Sequence, residues 1–212
     1  MIFAESMLRL YAVTDRSWLG EKTLYEQVEL ALRGGATCVQ LREKELNAED
    51  FLTEARKIKL LCARYGVPLI INDNVTLAIE VNADGVHVGQ EDMDAQDVRS
   101  LIGPDKILGV TAKTVEQAQR AQRNGADYLG SGAVFGSTTK PNARPMTKEL
   151  LHSICQSVTI PVVAIGGIHR GNIASLAGTG IRGAAVVSGI FAAADIEEEC
   201  FRLRAEIDRI VK

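Results

Sequence analysis

Carboxylates, cations and hydroxyls follow several short apolar runs of this 212-residue chain, and their types suit phosphate and metal chemistry. Gln40-Leu41-Arg42-Glu43-Lys44, Asn72-Asp73-Asn74, Gln90-Glu91-Asp92 and the pair Thr111 and Lys113 each stand at the end of such a run. Another run leaves through Gly130–Lys140, where three glycines precede Ser137, Thr138, Thr139 and Lys140. Glycines let backbone N–H groups approach a ligand, hydroxyls donate to its oxygens, and a lysine supplies a point charge. That set matches a phosphate or diphosphate. The same composition also makes ordinary turns, so the loop alone does not decide between the two. Its spacing does not meet G-x-x-x-x-G-K-[ST], which excludes a nucleoside-triphosphatase loop.

Hydrophobic periodicity assigns these residues to the ends of strands. Strands are expected at Leu8–Asp15, Cys38–Arg42, Val67–Asp73, Gly85–Gly89, Ile107–Thr111, Tyr128–Phe135, Pro161–Gly167 and Ala184–Ile190. Helices alternate with them. The first starts at Thr23, whose capping box uses Glu26, and stops at Gly34-Gly35. Others are expected at Asn47–Tyr65, Asn74–Val81, Ala95–Ile102, Thr147–Val158 and Asn172–Ala177. Thr114 and Gln117 form a second capping box for a helix ending at Asn124-Gly125, and Ile196, Cys200, Leu203, Ile207 and Ile210 mark the last helix.

A weak echo supports the count. Gly35-Ala36-Thr37, Asn82-Ala83-Asp84, Gly125-Ala126-Asp127 and Gly180-Ile181-Arg182 each end a helix just before a buried strand. Their recurrence is the signature of a duplicated supersecondary unit. Eight β/α units in four such intervals favour an α/β protein with one domain over residues 1–212, a (β/α)8 TIM barrel, over an open doubly wound sheet.

A barrel works at the C-terminal ends of its strands, so the polar residues above converge on one mouth. Arg42, Lys44 and Lys140 then form a cationic ring matching a diphosphate, with Asp73 and Asp92 among them. Two carboxylates facing phosphate oxygens are a setting for Mg²⁺; helix caps or surface charges are the alternative, and the cations favour metal. Gly166-Gly167 and Ser188-Gly189 end the last two strands, where barrels often hold a second phosphate. Close packing around glycine is the competing reading. His87 either points into the mouth or is a hydrogen-bonded core histidine, and Trp18 and Phe135 flank the mouth as lid or packing. No Ser-His-Asp or Cys-His set can be assembled, which leaves covalent hydrolase chemistry without support.

Composition narrows the partners. The chain is 46% hydrophobic and 24% charged with a net charge of −3, and has no basic block for nucleic acid or membrane surfaces. Aromatics at 5% argue against a base-stacking platform. Cys38, Cys62, Cys155 and Cys200 lack C-x-x-C spacing and lie in apolar runs or stripes, so buried free thiols are favoured over disulfides or metal ligands. Neither a secretion signal nor a membrane span is evident, and a reducing cytoplasm is the expected location. The oligomeric state stays open.

Taken together, Gln40-Leu41-Arg42-Glu43-Lys44, Ile71-Asn72-Asp73, Asp84–Asp92, the Thr-Thr-Lys140 loop, Ala164–Ile168 and Val186-Val187-Ser188 resemble the thiamine-phosphate synthase family. The resemblance spans nearly the whole chain in order. It implies a (β/α)8 fold and the joining of 4-amino-5-hydroxymethyl-2-methylpyrimidine diphosphate to 4-methyl-5-(2-phosphoethyl)thiazole, or its carboxylated form, with release of diphosphate. It further implies that Gln40, Leu41, Arg42, Glu43, Lys44, Asn72, Thr111 and Lys140 hold the pyrimidine diphosphate. Arg42, Lys44, Thr111 and Lys140 would be the catalytic members, and Asp73 and Asp92 would bind one Mg²⁺ per subunit. Ser137, Thr138, Thr139, Gly167, Val187 and Ser188 would hold the thiazole phosphate. Thr111 stands where the family commonly has serine, Ala133 and Gly136 where it often has proline, and Ser137 where it has threonine. A more flexible loop is expected from those changes. Thiazole tautomerases share the barrel and the thiazole-phosphate end, and a non-catalytic thiazole-phosphate sensor is a rival of another class. Neither needs Asn72, Asp73, Asp92 and Lys140 together, which favours the synthase.

Overall fold

The computed structural model describes residues 3–136 and 145–211. Eight parallel strands form a closed barrel in sequence order: β1 (Leu10–Val13), β2 (Cys38–Leu41), β3 (Leu69–Asn72), β4 (Gly85–Val88), β5 (Ile107–Thr111), β6 (Tyr128–Gly132), β7 (Val162–Ile165) and β8 (Gly183–Val186). Pairing of Leu10, Tyr11 and Ala12 with Ala184, Ala185 and Val186 closes the ring. Between them run α1 (Leu24–Arg33), α2 (Ala48–Arg64), α3 (Val75–Glu80), α4 (Ala95–Ile102), α5 (Val115–Arg123) and α6 (Lys148–Gln156), and α7 (Ser188–Phe191) and α8 (Ile196–Ile210) follow β8. Among the described residues no helix is long and apolar enough to cross a membrane.

Strand alternation sorts the side chains into two apolar layers. Val39, Leu41, Leu69, Ile71, Val86, Leu108 and Leu129 face the helices, while Tyr11, Cys38, Ile70, Ile107, Tyr128, Val163 and Ala185 fill the barrel. Both faces are buried, which is why these strands read as continuous apolar runs. Cys38, Cys62, Cys155 and Cys200 are all free thiols, and burial pushes Cys62 and Cys200 up to about 12.

The sequence echo has a physical cause. Thr37, Asp84, Asp127 and Arg182 each donate their backbone N–H to the carbonyl of Leu10, Leu69, Leu108 and Val162, beside the start of the preceding odd-numbered strand. In three of them the side chain answers the same strand: the N–H groups of Leu10, Leu69 and Leu108 donate to Thr37 Oγ1, Asp84 Oδ2 and Asp127 Oδ2. Lys59 and Arg99 then neutralise Asp84 and Asp127, each at 2.6 Å. The repeated clip ties each even strand's entry to its neighbour.

Local expectations hold at several helix starts. Thr23 and Glu26 make the reciprocal capping box, and α4 and β5 have the expected bounds. At α5, Thr114 accepts from the Gln117 N–H, but the Gln117 side chain accepts from Lys113 N–H instead of closing the box. Every strand but β5 is shorter than expected, and β6 and β8 stop furthest from their expected ends. β6 ends at Gly132, and β8 ends at Val186, after which Ser188–Phe191 turns into helix instead of extending the strand to Ile190. A short apolar run does not distinguish helix from strand by periodicity, and Gly189 turns here against the loop after β7. The expected helix at Asn172–Ala177 is a 3₁₀ turn at Ile173–Leu176.

Asp84→Ala orphans the Leu69 N–H and leaves Lys59 unpaired beside the barrel's lower rim. The expected loss is about 2 kcal/mol. Glu197→Ala at the exposed Arg33 pair should change stability by less than about 0.5 kcal/mol. Urea denaturation of both variants checks the contrast.

Candidate active site

The C-terminal ends of the strands surround a cavity of about 750 Å³. Gln40, Arg42, Asn72, Asp73, Asp92, Thr111, Gly167, Val187 and Ser188 all line it. Inward parity puts Gln40, Asn72 and Thr111 there, since each lies two residues beyond an apolar interior position: Cys38, Ile70 and Gly109. Ser137, Thr138, Thr139 and Lys140 lie outside the described residues.

The segment after β2 divides its tasks. Arg42 reaches Asp15 at 2.9 Å, and Lys44 reaches Asp73 at 2.8 Å. Leu41 is buried in the layer beneath the helices, so only its backbone is available to the cavity. Glu43 is not among the residues lining the cavity: it pairs with Arg16 and accepts from the N–H groups of Lys44 and Glu45. Burial raises the Glu43 carboxyl, but those N–H groups and Arg16 outweigh it and hold it below the usual range. Glu43 therefore shapes the turn that presents Lys44.

Asp73 and Asp92 meet across the ends of β3 and β4. Burial works against ionising both. For Asp73, hydrogen bonds from Lys44 and Asp92 overcome that burial and leave its carboxyl below its ordinary value. For Asp92, burial dominates, the Gly89 N–H at 2.7 Å opposes it, and Asp73 pushes upward again, so its carboxyl ends above its ordinary value. The two facing carboxylates thus resist carrying charge together, and a hard dication would offset that repulsion. Asp73 also stands at φ 61°, in the left-handed region, with its N–H donating to His87 O at 2.8 Å. Non-glycine residues are uncommon there, and Asn82, just past the end of α3, is the other non-glycine example among the described residues. Among the described residues no group of three His, Cys, Asp or Glu side chains could enclose a metal, so any ion at this pair completes its shell with water or ligand oxygens.

The opposite wall is built from glycines. Gly166 and Gly167 have φ of 103° and 63°, and a Cβ on Gly167 would lie 2.6 Å from Phe135 O. A Cβ on Gly189 would lie 2.3 Å from Ile168 O. The ends of β7 and β8 therefore abut each other and the segment leaving β6, and Gly166, Gly167, Val187 and Ser188 line the cavity. Trp18 is on a 3₁₀ turn at Arg16–Trp18, and Phe135 packs on the outer core.

Beneath the mouth runs a polar chain absent from the sequence-based assignment. Gln40 Nε2 donates to the Tyr11 hydroxyl at 2.9 Å, which lies 2.7 Å from the Tyr128 hydroxyl. Tyr128 is 3.0 Å from His87 Nδ1, and His87 Nε2 is 3.0 Å from Thr111 Oγ1. Burial, foremost, holds both tyrosine hydroxyls well above their usual range, so they remain protonated. His87 is thus both a mouth residue and a hydrogen-bonded core histidine. Asp15 and Lys113 are further cavity-lining charges. The available signal for the tyrosines was parity: Tyr11 and Tyr128 sit two residues below cavity positions on their own strands.

The model of the family described as thiamine monophosphate synthase matches residues 10–190. The chain belongs to that family. It is 51% identical over 194 residues to a thiamine-phosphate synthase of Ruminiclostridium cellulolyticum, covering 92% of each chain. It is 48% identical over 191 residues to one of Clostridium acetobutylicum, covering 90% of each. Among solved structures, thiamine phosphate pyrophosphorylase of Pyrococcus furiosus aligns with a TM-score of 0.90 at 36% identity, over 98% of this chain and 99% of that one. This family member is accordingly an enzyme, a transferase of thiamine biosynthesis.

The strain at Asp73 yields a test that needs no substrate. Asp73→Gly removes the left-handed penalty of about 1 kcal/mol and one of two facing carboxylates, offset by the greater freedom of unfolded glycine. Its stability should equal or exceed that of the parent by up to roughly 1 kcal/mol, whereas Asp73→Val should lose at least about 1 kcal/mol. Denaturant midpoints measured without Mg²⁺ decide this.

Proposed function

We propose that this cavity condenses 4-amino-5-hydroxymethyl-2-methylpyrimidine diphosphate with 4-methyl-5-(2-phosphoethyl)thiazole, or its carboxylated form, to give thiamine phosphate and diphosphate. The observation that carries this reading is the pairing of two polar walls across one cavity. One wall holds Arg42, Asp73 and Asp92, with Lys44 paired to Asp73; the other holds Gly167, Val187 and Ser188. The sequence match to thiamine-phosphate synthases supports it.

In this reading the C–O bond between the pyrimidine methylene and diphosphate breaks, and the thiazole nitrogen forms the new C–N bond. Diphosphate carries away the bonding pair, and the aminopyrimidine spreads the positive charge left behind. Arg42 and Lys44 stabilise charge growing on the departing oxygens, exchanging their carboxylate partners for phosphate. Gln40, Asn72 and Thr111 direct polar atoms at the pyrimidine diphosphate, and Glu43 and the Leu41 backbone hold the turn that carries those cations. Gly167, Val187 and Ser188 position the thiazole phosphate, and Ser137, Thr138, Thr139 and Lys140 are assigned between the two substrates on their sequence match alone. Holding two reactants in register supplies much of the acceleration, and no protein nucleophile is required.

Asp73 and Asp92 fit Mg²⁺: two adjacent hard oxygen donors whose electrostatics are coupled. Bound there, Mg²⁺ would neutralise diphosphate charge.

Purified protein should form thiamine phosphate only when both substrates and Mg²⁺ are present. Diphosphate release without the thiazole, or tautomerisation of a thiazole phosphate without condensation, would count against the reading. Asp92→Asn should retain the fold while raising the Mg²⁺ concentration for half-maximal rate by at least about tenfold. Because Asp92 must lose its proton to bind metal and its carboxyl is raised, Mg²⁺ affinity should fall as pH drops toward that raised value. An unchanged Mg²⁺ response in Asp92→Asn removes the residue from the metal site.

A further inference from the structure

The polar chain inside the barrel has a direction. An amide nitrogen only donates, so the Tyr11 oxygen must accept from Gln40 Nε2. The Tyr11 proton then has the Tyr128 oxygen at 2.7 Å, an ordinary O–H···O length, against the weak acceptor sulfur of Cys38. Tyr128, having accepted, sends its own proton to His87 Nδ1. An imidazole accepting at Nδ1 carries its proton on Nε2, and that N–H donates to Thr111 Oγ1. The Thr111 hydroxyl proton is thereby turned away from His87, at a position that lines the cavity.

The fold keeps room for this chain. Strand register sets Gly109 between His87 and Tyr128. A Cβ on Gly109 would lie 2.3 Å from the Tyr128 hydroxyl and 2.5 Å from His87 Nδ1, on the hydrogen bond itself. On the next strand, a Cβ on Gly130 would lie 3.1 Å from His87 Cε1. Glycine inside a strand marks close approach of another group, and here that group is the histidine–tyrosine pair.

We infer that Tyr11, Tyr128 and His87 are positioning residues: a buried relay, started by Gln40, that locks His87 as its Nε2–H tautomer and makes Thr111 a hydrogen-bond donor to an anionic ligand. Under the proposed function that ligand oxygen belongs to the pyrimidine diphosphate, so the kinetic half of the inference rests on that reading. The tautomer half does not.

Nitrogen-15 NMR of the histidine rings at neutral pH tests the lock in ligand-free protein. The chain has three histidines, and His152→Gln and His169→Gln assign the His87 signals by subtraction. The expected spectrum shows His87 Nε2 protonated and Nδ1 bare. An Nδ1–H tautomer or a charged ring in the parent protein overturns the inference, and this measurement needs no interior variant to fold. In Tyr128→Phe the lock is released and the two tautomers should mix; an unchanged Nε2–H population overturns it as well. For the kinetic half, Tyr128→Phe should lower kcat/KM for thiamine phosphate formation about tenfold with Thr111 present, the effect expected of one hydrogen bond to a charged group. In a Thr111→Val background the same change should have almost no effect. Additive losses in that double-mutant cycle show that Tyr128 does not act through Thr111. Absence of thiamine phosphate formation by the parent protein sinks the proposed function instead and leaves the NMR result standing.

Discussion

Closure of the sheet between β1 and β8 is the constraint from which the rest of the molecule follows. Once eight parallel strands form a ring, every second side chain on each strand must share one interior, and all C-terminal ends must face one way. The lower interior is filled by apolar groups such as Ile70, Ile107 and Val163. Higher up, Tyr11, Tyr128, Gln40 and His87 are buried with polar atoms that have little access to bulk water. Burial without partners would cost several kcal/mol per group on the order seen for isolated amides and hydroxyls. Their mutual hydrogen bonds remove most of that cost and also fix how they point. The polar floor of the cavity is thus a product of the packing problem as much as of chemistry.

Charge at the mouth is organised by the same geometry. Arg42 and Lys44 do not face the cavity as bare cations; Asp15 and Asp73 neutralise them. At the Asp73–Asp92 contact, Lys44 serves two partly buried carboxylates among the described residues. Asp73 is also the residue there with left-handed backbone geometry. Electrostatic and conformational stress therefore coincide at one strand end. Natural folds concentrate such violations where function requires them. A dication and an anionic ligand arriving together would relieve the carboxylate repulsion and give both cations phosphate oxygens to face.

The fold was legible in the sequence because each level repeated the same message. Apolar runs alternated with capped amphipathic helices, and the echo around Thr37, Asp84, Asp127 and Arg182 proved to be one clip used four times. Legibility failed where an apolar run served a different backbone. Val187–Ile190 reads as a continuation of β8, yet the chain turns into helix at Ser188, where Gly189 abuts Ile168. Cavity-lining residues at strand ends could be read because polarity there contrasts with the run before it. Tyr11 and Tyr128 could not, since a tyrosine inside an apolar strand looks like core until its hydroxyl's partner is known. Three of the partners lie on other strands, 29 to 117 residues away in sequence. Glu43 shows a role the motif alone does not give: it sits in a polar strand-end motif, and the fold shows it bracing the turn through Arg16 and the Lys44 N–H.

Packing and binding also cease to be alternatives at the glycine-rich strand ends. Gly166, Gly167 and Gly189 are required because backbone from neighbouring segments occupies the space of their side chains. That same intimacy makes a continuous wall of Gly167, Val187 and Ser188, which separate loops carrying side chains could not form. A barrel with larger residues there would splay these strand ends and lose the wall, whatever its remaining polar residues. Fold alone never fixes chemistry, because the same ring of strands can carry any set of strand ends. What distinguishes this barrel is the match between two levels: small residues at Gly109 and Gly130 admit the histidine–tyrosine pair below, and small residues at Gly166, Gly167 and Gly189 close the wall above. Both levels exclude side chains from chosen interior positions, so the cavity's shape and its polar orientation are set by where this sequence places nothing.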